Sequence, residues 1–95
     1  MPTLRIDHRV RDYETWKAVF DSDPAGRKAG GVRSYRVLRP SDDPNHVLVD
    51  LEFATLAEAV TFGEKLRALW ADAGPRLGLE SPRARIVDVV ESVTL

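Results

Sequence analysis

Apolar residues in this 95-residue chain recur with a period of two in four stretches and with a helical period in two. The order of those stretches limits the fold more than any other feature. Leu4, Ile6, His8 and Val10 alternate with Arg5, Asp7 and Arg9, which predicts a half-buried strand over residues 3–10. Asp12 is placed to cap a following helix, and Glu14 sits in the first turn, where the helix dipole favours an anion. Tyr13, Trp16, Val19 and Phe20 supply that helix's apolar stripe. Pro24 ends it, because the residue before a proline is pushed out of the α region. Residues 25–31, closing on Gly30-Gly31, are expected as a loop or a short extra turn of helix.

Val32 to Arg39 predicts a second strand, rich in β-branched and aromatic residues among arginines. The turn formers Pro40-Ser41-Asp42-Asp43-Pro44-Asn45 join it as a hairpin to a third strand over Val47–Phe53. Val47, Val49, Leu51 and Phe53 share one face of that strand, and Leu48, Asp50 and Glu52 the other. Thr55-Leu56-Ala57-Glu58 matches a capping box. The helix it opens carries Ala59, Phe62, Leu66, Leu69 and Ala73 on one stripe, with Trp70 beside them, and Gly74-Pro75 stops it. Arg76 to Pro82 is expected as a connector and Arg83 to Val93 as a fourth strand.

The resulting order is β-α-β-β-α-β over residues 1–95, one α+β domain. It predicts a ferredoxin-like four-stranded antiparallel sheet with two helices on one face and strands one and three in the centre. The face without helices carries Arg5, Asp7 and Arg9 opposite Leu48, Asp50 and Glu52, so opposite charges can pair across the ladder. That face is either solvated or covered by a second copy of the chain. Strand four favours the second copy, because Ile86 and Val90 on one side and Val87, Val89 and Val93 on the other give it two apolar faces.

A chain of this size buries roughly 60–65% of its extended surface, which leaves one modest core that a second copy would reinforce. Hydrophobic residues at 43% and charged residues at 31% describe an ordinary globular composition. The 14 basic and 15 acidic residues are interspersed, and no basic field is available to hold a phosphate backbone. With no cysteine, disulfides, thiolate nucleophiles and Cys-type zinc or iron–sulfur sites are excluded. The charged N-terminal residues do not form the apolar run of a signal peptide, and no stretch approaches the roughly 20 apolar residues of a membrane span. A cytoplasmic location is expected.

The pattern His8-x-Val10-x-Asp12-Tyr13-x-x-Trp16-Lys17-x-x-Phe20-Asp21 resembles the opening of the antibiotic-biosynthesis-monooxygenase-like group in the dimeric α/β-barrel superfamily. Some members of this group are labelled cyclases. Arg27-Lys28, Gly31-Val32, Asp42-Asp43-Pro44-Asn45 and a closing helix ending in Ala73-Gly74 are also similar to small members of that group. The resemblance spans nearly the whole chain. It implies a homodimer packed sheet on sheet and a cleft between sheet and helices in each protomer. Relatives include cofactor-independent oxygenases of aromatic polyketides, quinol oxygenases and haem-degrading enzymes, and the fold alone does not choose among them.

His8 is the leading catalytic candidate. It shares the helix-facing side of strand one with Leu4, Ile6 and Val10, and a histidine there can move a proton near neutral pH. The alternative is a structural histidine satisfied by a loop or helix-end group such as Asp12. Tyr13, Trp16 and Trp70 are candidate walls for a flat aromatic ligand, with core packing as the alternative. Phe20, Phe53 and Phe62 are expected as core. Arg27 and Lys28 could bind a carboxylate or phenolate, or be solvated loop cations. Asp42 and Asp43 are turn residues before they are metal ligands, and His46 is expected at the surface.

No phosphate-binding glycine loop, Gly-x-Ser-x-Gly elbow or His-Glu-x-x-His is present. Neither histidine lies on the second helix, where the resemblance places the ligand of haem-degrading relatives, so no cofactor is expected. Three readings follow: a homodimeric protein with a cleft for a small aromatic or polyketide-like ligand; a cofactor-independent monooxygenase or cyclase using His8 on such a compound; and a structural or regulatory dimer with no pocket.

Overall fold

The computed structural model describes residues 1–76 and 78–95. Its elements run β1 (Pro2–Val10), α1 (Tyr13–Ser22), β2 (Val32–Leu38), β3 (His46–Phe53), α2 (Leu56–Ala73) and β4 (Leu79–Asp88). The strands form one antiparallel sheet in the order β2-β3-β1-β4, so β1 and β3 lie in the centre as the alternation predicts.

Both helix starts follow the sequence signals. The Asp12 carboxylate accepts the Thr15 backbone N–H at 2.9 Å, and the Thr55 hydroxyl oxygen accepts that of Glu58 at 3.2 Å. The return half of the second box differs, because the Glu58 carboxylate accepts from the Thr55 hydroxyl at 3.1 Å. Helix α1 ends on Asp23 in the left-handed region (φ 58°), whose N–H reaches the Phe20 carbonyl. Gly74 stays right-handed (φ −51°), so α2 stops because Pro75 brings no N–H to continue it.

Leu4, Val47, Val49, Leu51 and Phe53 from the sheet meet Phe62 and Ala59 from α2, all nearly inaccessible to solvent. Each large side chain in this set contributes about 1.5–3 kcal/mol by leaving water. Gly30 packs so closely on Phe62 that a β-carbon there would sit 2.4 Å from the ring's Cδ1. Segment 24–31 makes one loose turn, with Gly30 N–H bonded to the Gly26 carbonyl at 2.9 Å. That contact pins it over the end of the core.

β4 departs from its expected limits. It begins at Leu79 and ends at Asp88, and Val89, Val90 and Val93 lie beyond it, exposed. Of the connector expected over 76–82, Leu77 lies outside the described residues, and 79–82 are strand. The pairing explains the early start: Asp7 opposes Arg83 whereas Arg9 opposes Glu80, so β4 carries one extra residue opposite His8. This bulge holds Ser81 at φ 49° and Pro82, the residue types a bulged edge strand tolerates.

On the open face, Arg5 and Asp50 are register partners and form a bidentate pair at 2.8 Å, with Arg36 adding a third bond at 3.1 Å. Asp50 is buried beneath the two guanidiniums. Their hydrogen bonds, Arg5's foremost, hold its carboxyl below the usual range against the opposing effect of burial. His46 is a correction to expectation: it is half-buried, with Nε2 2.5 Å from the Asp7 carboxylate across the ladder.

Candidate functional site

A cavity of about 80 Å³ lies between the sheet and the helices. β1 presents His8 to it because the imidazole continues the inward row of Leu4 and Ile6. Helix α1 contributes Trp16 and Phe20, one turn apart on its buried stripe, and α2 contributes Phe62, Leu66 and Trp70. Pro24, Ala25 and Arg27 close one end.

The cavity wall is a continuous aromatic series. His8 meets Trp16 edge to face at 5.6 Å between centroids, and Trp16 stacks on Phe20 at 5.1 Å. Phe20 in turn meets Tyr35 at 5.3 Å. Offset and edge contacts of this kind each add about 0.5–1.5 kcal/mol beyond area burial.

His8 is 4% exposed, and its Nδ1 has no hydrogen-bond partner among the described residues. Leaving a buried polar atom unpaired costs about 1–3 kcal/mol. Asp12, the partner considered from sequence, is instead committed to the N–H and hydroxyl of Thr15. Burial pushes the imidazole's pKa below its ordinary 6.5, with the Arg9 backbone and the Asp7 charge opposing and His46 assisting. The shift favours the neutral imidazole at pH 7, on a residue that lines an apolar cavity.

Four of the five site residues expected from sequence converge here: His8, Trp16, Arg27 and Trp70. Tyr13 does not line the cavity. It leans on Trp16 from outside, 5.9 Å between centroids, with the Arg39 guanidinium 4.1 Å over its ring. Arg27 is no solvated cation, since its guanidinium lies 4.0 Å over Phe20 and 4.8 Å over Tyr35 and donates to the Phe20 carbonyl at 2.8 Å. Lys28 is exposed and does not line the cavity. Asp43 pairs with Arg9 and accepts the Asn45 N–H, which makes it a turn-locking residue.

Phe20 and Phe62, expected as plain core, also line the cavity. Their helical spacing from Trp16 and Leu66 is the same whether a stripe fills a core or walls a hole, so the sequence carried no signal to separate the two.

The sequence matches no protein-family model and no curated protein. Solved structures do match. SnoaB, a cofactor-independent oxygenase from Streptomyces nogalater, superposes with a TM-score of 0.68 at 17% identity, covering 97% of this chain and 95% of that one. An antibiotic-biosynthesis-monooxygenase-type protein of Caulobacter crescentus gives 0.68 at 21%, covering 95% and 90%. MhuD, solved with manganese protoporphyrin IX in its active site, gives 0.72 at 13%, covering 99% of each chain. The chain has the ferredoxin-like fold of these antibiotic-biosynthesis-monooxygenase-like proteins, as the pattern from His8 to Asp21 implied.

Proposed function

We propose that the chain is a homodimeric, cofactor-independent oxygenase of a small hydroxyaromatic or polyketide-like compound, with His8 as its base. The placement of His8 on the wall of an aromatic cavity, with its buried Nδ1 unpartnered among the described residues, carries this reading. A buried histidine with a purely structural role ordinarily has its ring nitrogens paired, and this one has an unpaired Nδ1 among the described residues. The name of SnoaB as a cofactor-independent oxygenase supports the same chemistry on this fold.

In this mechanism His8 removes a proton from an activated carbon or hydroxyl of the substrate. The resulting anion is the reductant of oxygen. For an anthrone-like methylene, CH₂ plus O₂ gives C=O plus H₂O through a hydroperoxide: one oxygen atom enters the carbonyl, the other leaves as water, and the substrate supplies all four electrons. Trp16, Phe20 and Trp70 would hold the ring system and keep water from the anion.

The cavity has to open for this. Its volume of about 80 Å³ is below the ~150 Å³ that holds a benzene. A ring substrate must displace Trp70 or the segment around Pro24–Arg27. Haem, larger still, is not favoured by this space, and α2 has no histidine to ligate it.

The small volume favours a second reading, a binding protein with no turnover. A screen of anthrone- and quinol-like compounds, followed by oxygen uptake on every binder, separates the two. The oxygenase reading expects one oxygen consumed per substrate and one labelled atom from ¹⁸O₂ in the product. Binding without oxygen uptake overturns it in favour of the binding protein.

The dimer would form on the open sheet face. The apolar residues left exposed beside it support this: Leu48 is half-buried on that face, and Val89, Val90 and Val93 project from the end of β4.

A further inference from the structure

Outside Trp70 lies a second, wider concavity of about 500 Å³, and Trp70 is the one residue among those described that lines both it and the inner cavity. The indole therefore borders both spaces. Arg5, Arg67, Arg83 and Arg85 line the outer space against a single carboxylate, Asp7. Asp50 neutralises Arg5, and Asp7 is held by His46. Arg67 donates to the Ala84 carbonyl at 3.0 Å, which fixes its position without cancelling its charge. Arg83 and Arg85 are in no ion pair among the described residues.

This clustering runs against the packing rules of a sheet. Arg85 lies directly opposite Arg5 across the β1–β4 ladder, and like charges in that relation destabilise. A sequence that keeps a local conflict of this kind marks a place where something other than stability is served. The bulge opposite His8 lies beside it, with Pro82 on the rim of the outer space.

We infer that the outer concavity is an anion-attracting vestibule, that Trp70 is the door between it and the His8 cavity, and that the ligand is an aromatic compound bearing a carboxylate or a comparable anionic group. The inference rests on the cleft reading above and narrows it to a substrate class. Charge in a concave, low-dielectric mouth raises the local concentration of an oppositely charged ligand and its rate of entry. Turning Trp70 outward would add the volume of the indole to the inner cavity, which supplies the space a ring needs. A second copy on the sheet face would roof Leu48 together with Arg5, Arg83 and Arg85, which share its face, whereas Arg67 and Trp70 belong to the helix layer on the other side.

The test uses 2-naphthoate and its neutral analogue 2-naphthamide, with tryptophan fluorescence followed by stopped flow. In wild-type protein at low salt, 2-naphthoate is expected to enter about 10-fold faster than the amide, and high salt removes the advantage. Arg83→Gln/Arg85→Gln should cut the difference by about threefold or more, Arg67 keeping a remainder, and leave amide binding unchanged, and Trp70→Ala should accelerate both compounds. Equal wild-type rates, or a naphthoate preference undiminished in the double variant, would overturn the vestibule while the cleft stands. A loss of both compounds in the double variant, or a change in its sedimentation, would also overturn it by making these arginines structural or subunit contacts. Unchanged rates in Trp70→Ala would overturn the door. Failure of either compound to bind wild-type protein would overturn the cleft reading itself and the inference with it.

Discussion

The imidazole of His8 stands edge-on to the indole of Trp16, 5.6 Å between centroids, and its Nδ1 is buried without a hydrogen-bond partner among the described residues. The indole's apolar surface excludes water, and its N–H is not bonded to Nδ1. The pair thereby couples two properties, a depressed basicity and an open coordination position for a substrate proton.

A pH dependence of stability follows from the direction of that shift. Burial lowers the folded-state pKa of His8 beneath 6.5, so the unfolded chain binds the proton more readily. The contribution is complete above pH 6.5 and is lost as pH falls from 6.5 through the folded value, below which it is constant. Urea midpoints measured between pH 7.5 and 5 should decline in wild-type protein and decline less in His8→Gln. Parallel profiles would show that His8 titrates normally.

Asp50 behaves in the same sense at lower pH. Its carboxyl is held down chiefly by Arg5 and then by Arg36, so its stabilisation is present above the ordinary value near 3.8 and is lost as pH falls through the lower folded value. Asp50→Asn should destabilise the protein by about 1–3 kcal/mol. The figure lies below that for fully buried pairs because Arg5 and Arg36 are partly exposed and can return to water. Chemical denaturation at pH 7 measures it.

Gly30→Ala drives a methyl group into the Phe62 ring, and the rigid, buried ring has nowhere to go. A loss of about 1–3 kcal/mol is expected. Phe62→Leu in the same chain should recover part of it, and a double-mutant cycle reads the coupling directly. Additive effects would place the strain elsewhere.

The open sheet face should carry the dimer. Sedimentation equilibrium at micromolar concentration is expected to give twice the chain mass, and Leu48→Asp, at the middle of the face, to give monomer without unfolding. A wild-type monomer would remove the dimer from the proposal.

Strand and helix order was legible in the sequence because each face is bought by a separate periodicity: Val47, Val49, Leu51 and Phe53 on β3, and Ala59, Phe62 and Leu66 on α2. The capping residues Asp12 and Thr55 were equally plain, since their short side chains act on backbone only three positions away. The ends of β4 were not. Its start depends on a bulge forced by pairing with β1, and pairing is a property of two strands. The inward position of His8 followed from alternation, yet its missing partner did not, because Asp12 had two possible uses and only the fold selects Thr15. Sequence leaves Arg27 open between a ligand-binding and a solvated loop cation, and its place between Phe20 and Tyr35 depends on a contact between α1 and β2 that no local pattern encodes. The sharing of Trp70 by two cavities is likewise a tertiary fact.

Oxygen consumption by His8→Ala, set beside wild-type protein with a hydroxyaromatic compound that both bind, bears most directly on the proposed chemistry. Removal of the base should lower turnover by about 10²-fold or more, while affinity and sedimentation stay close to wild type. Turnover at the wild-type rate in that variant would contradict the role of His8 and require the proton to leave by another route.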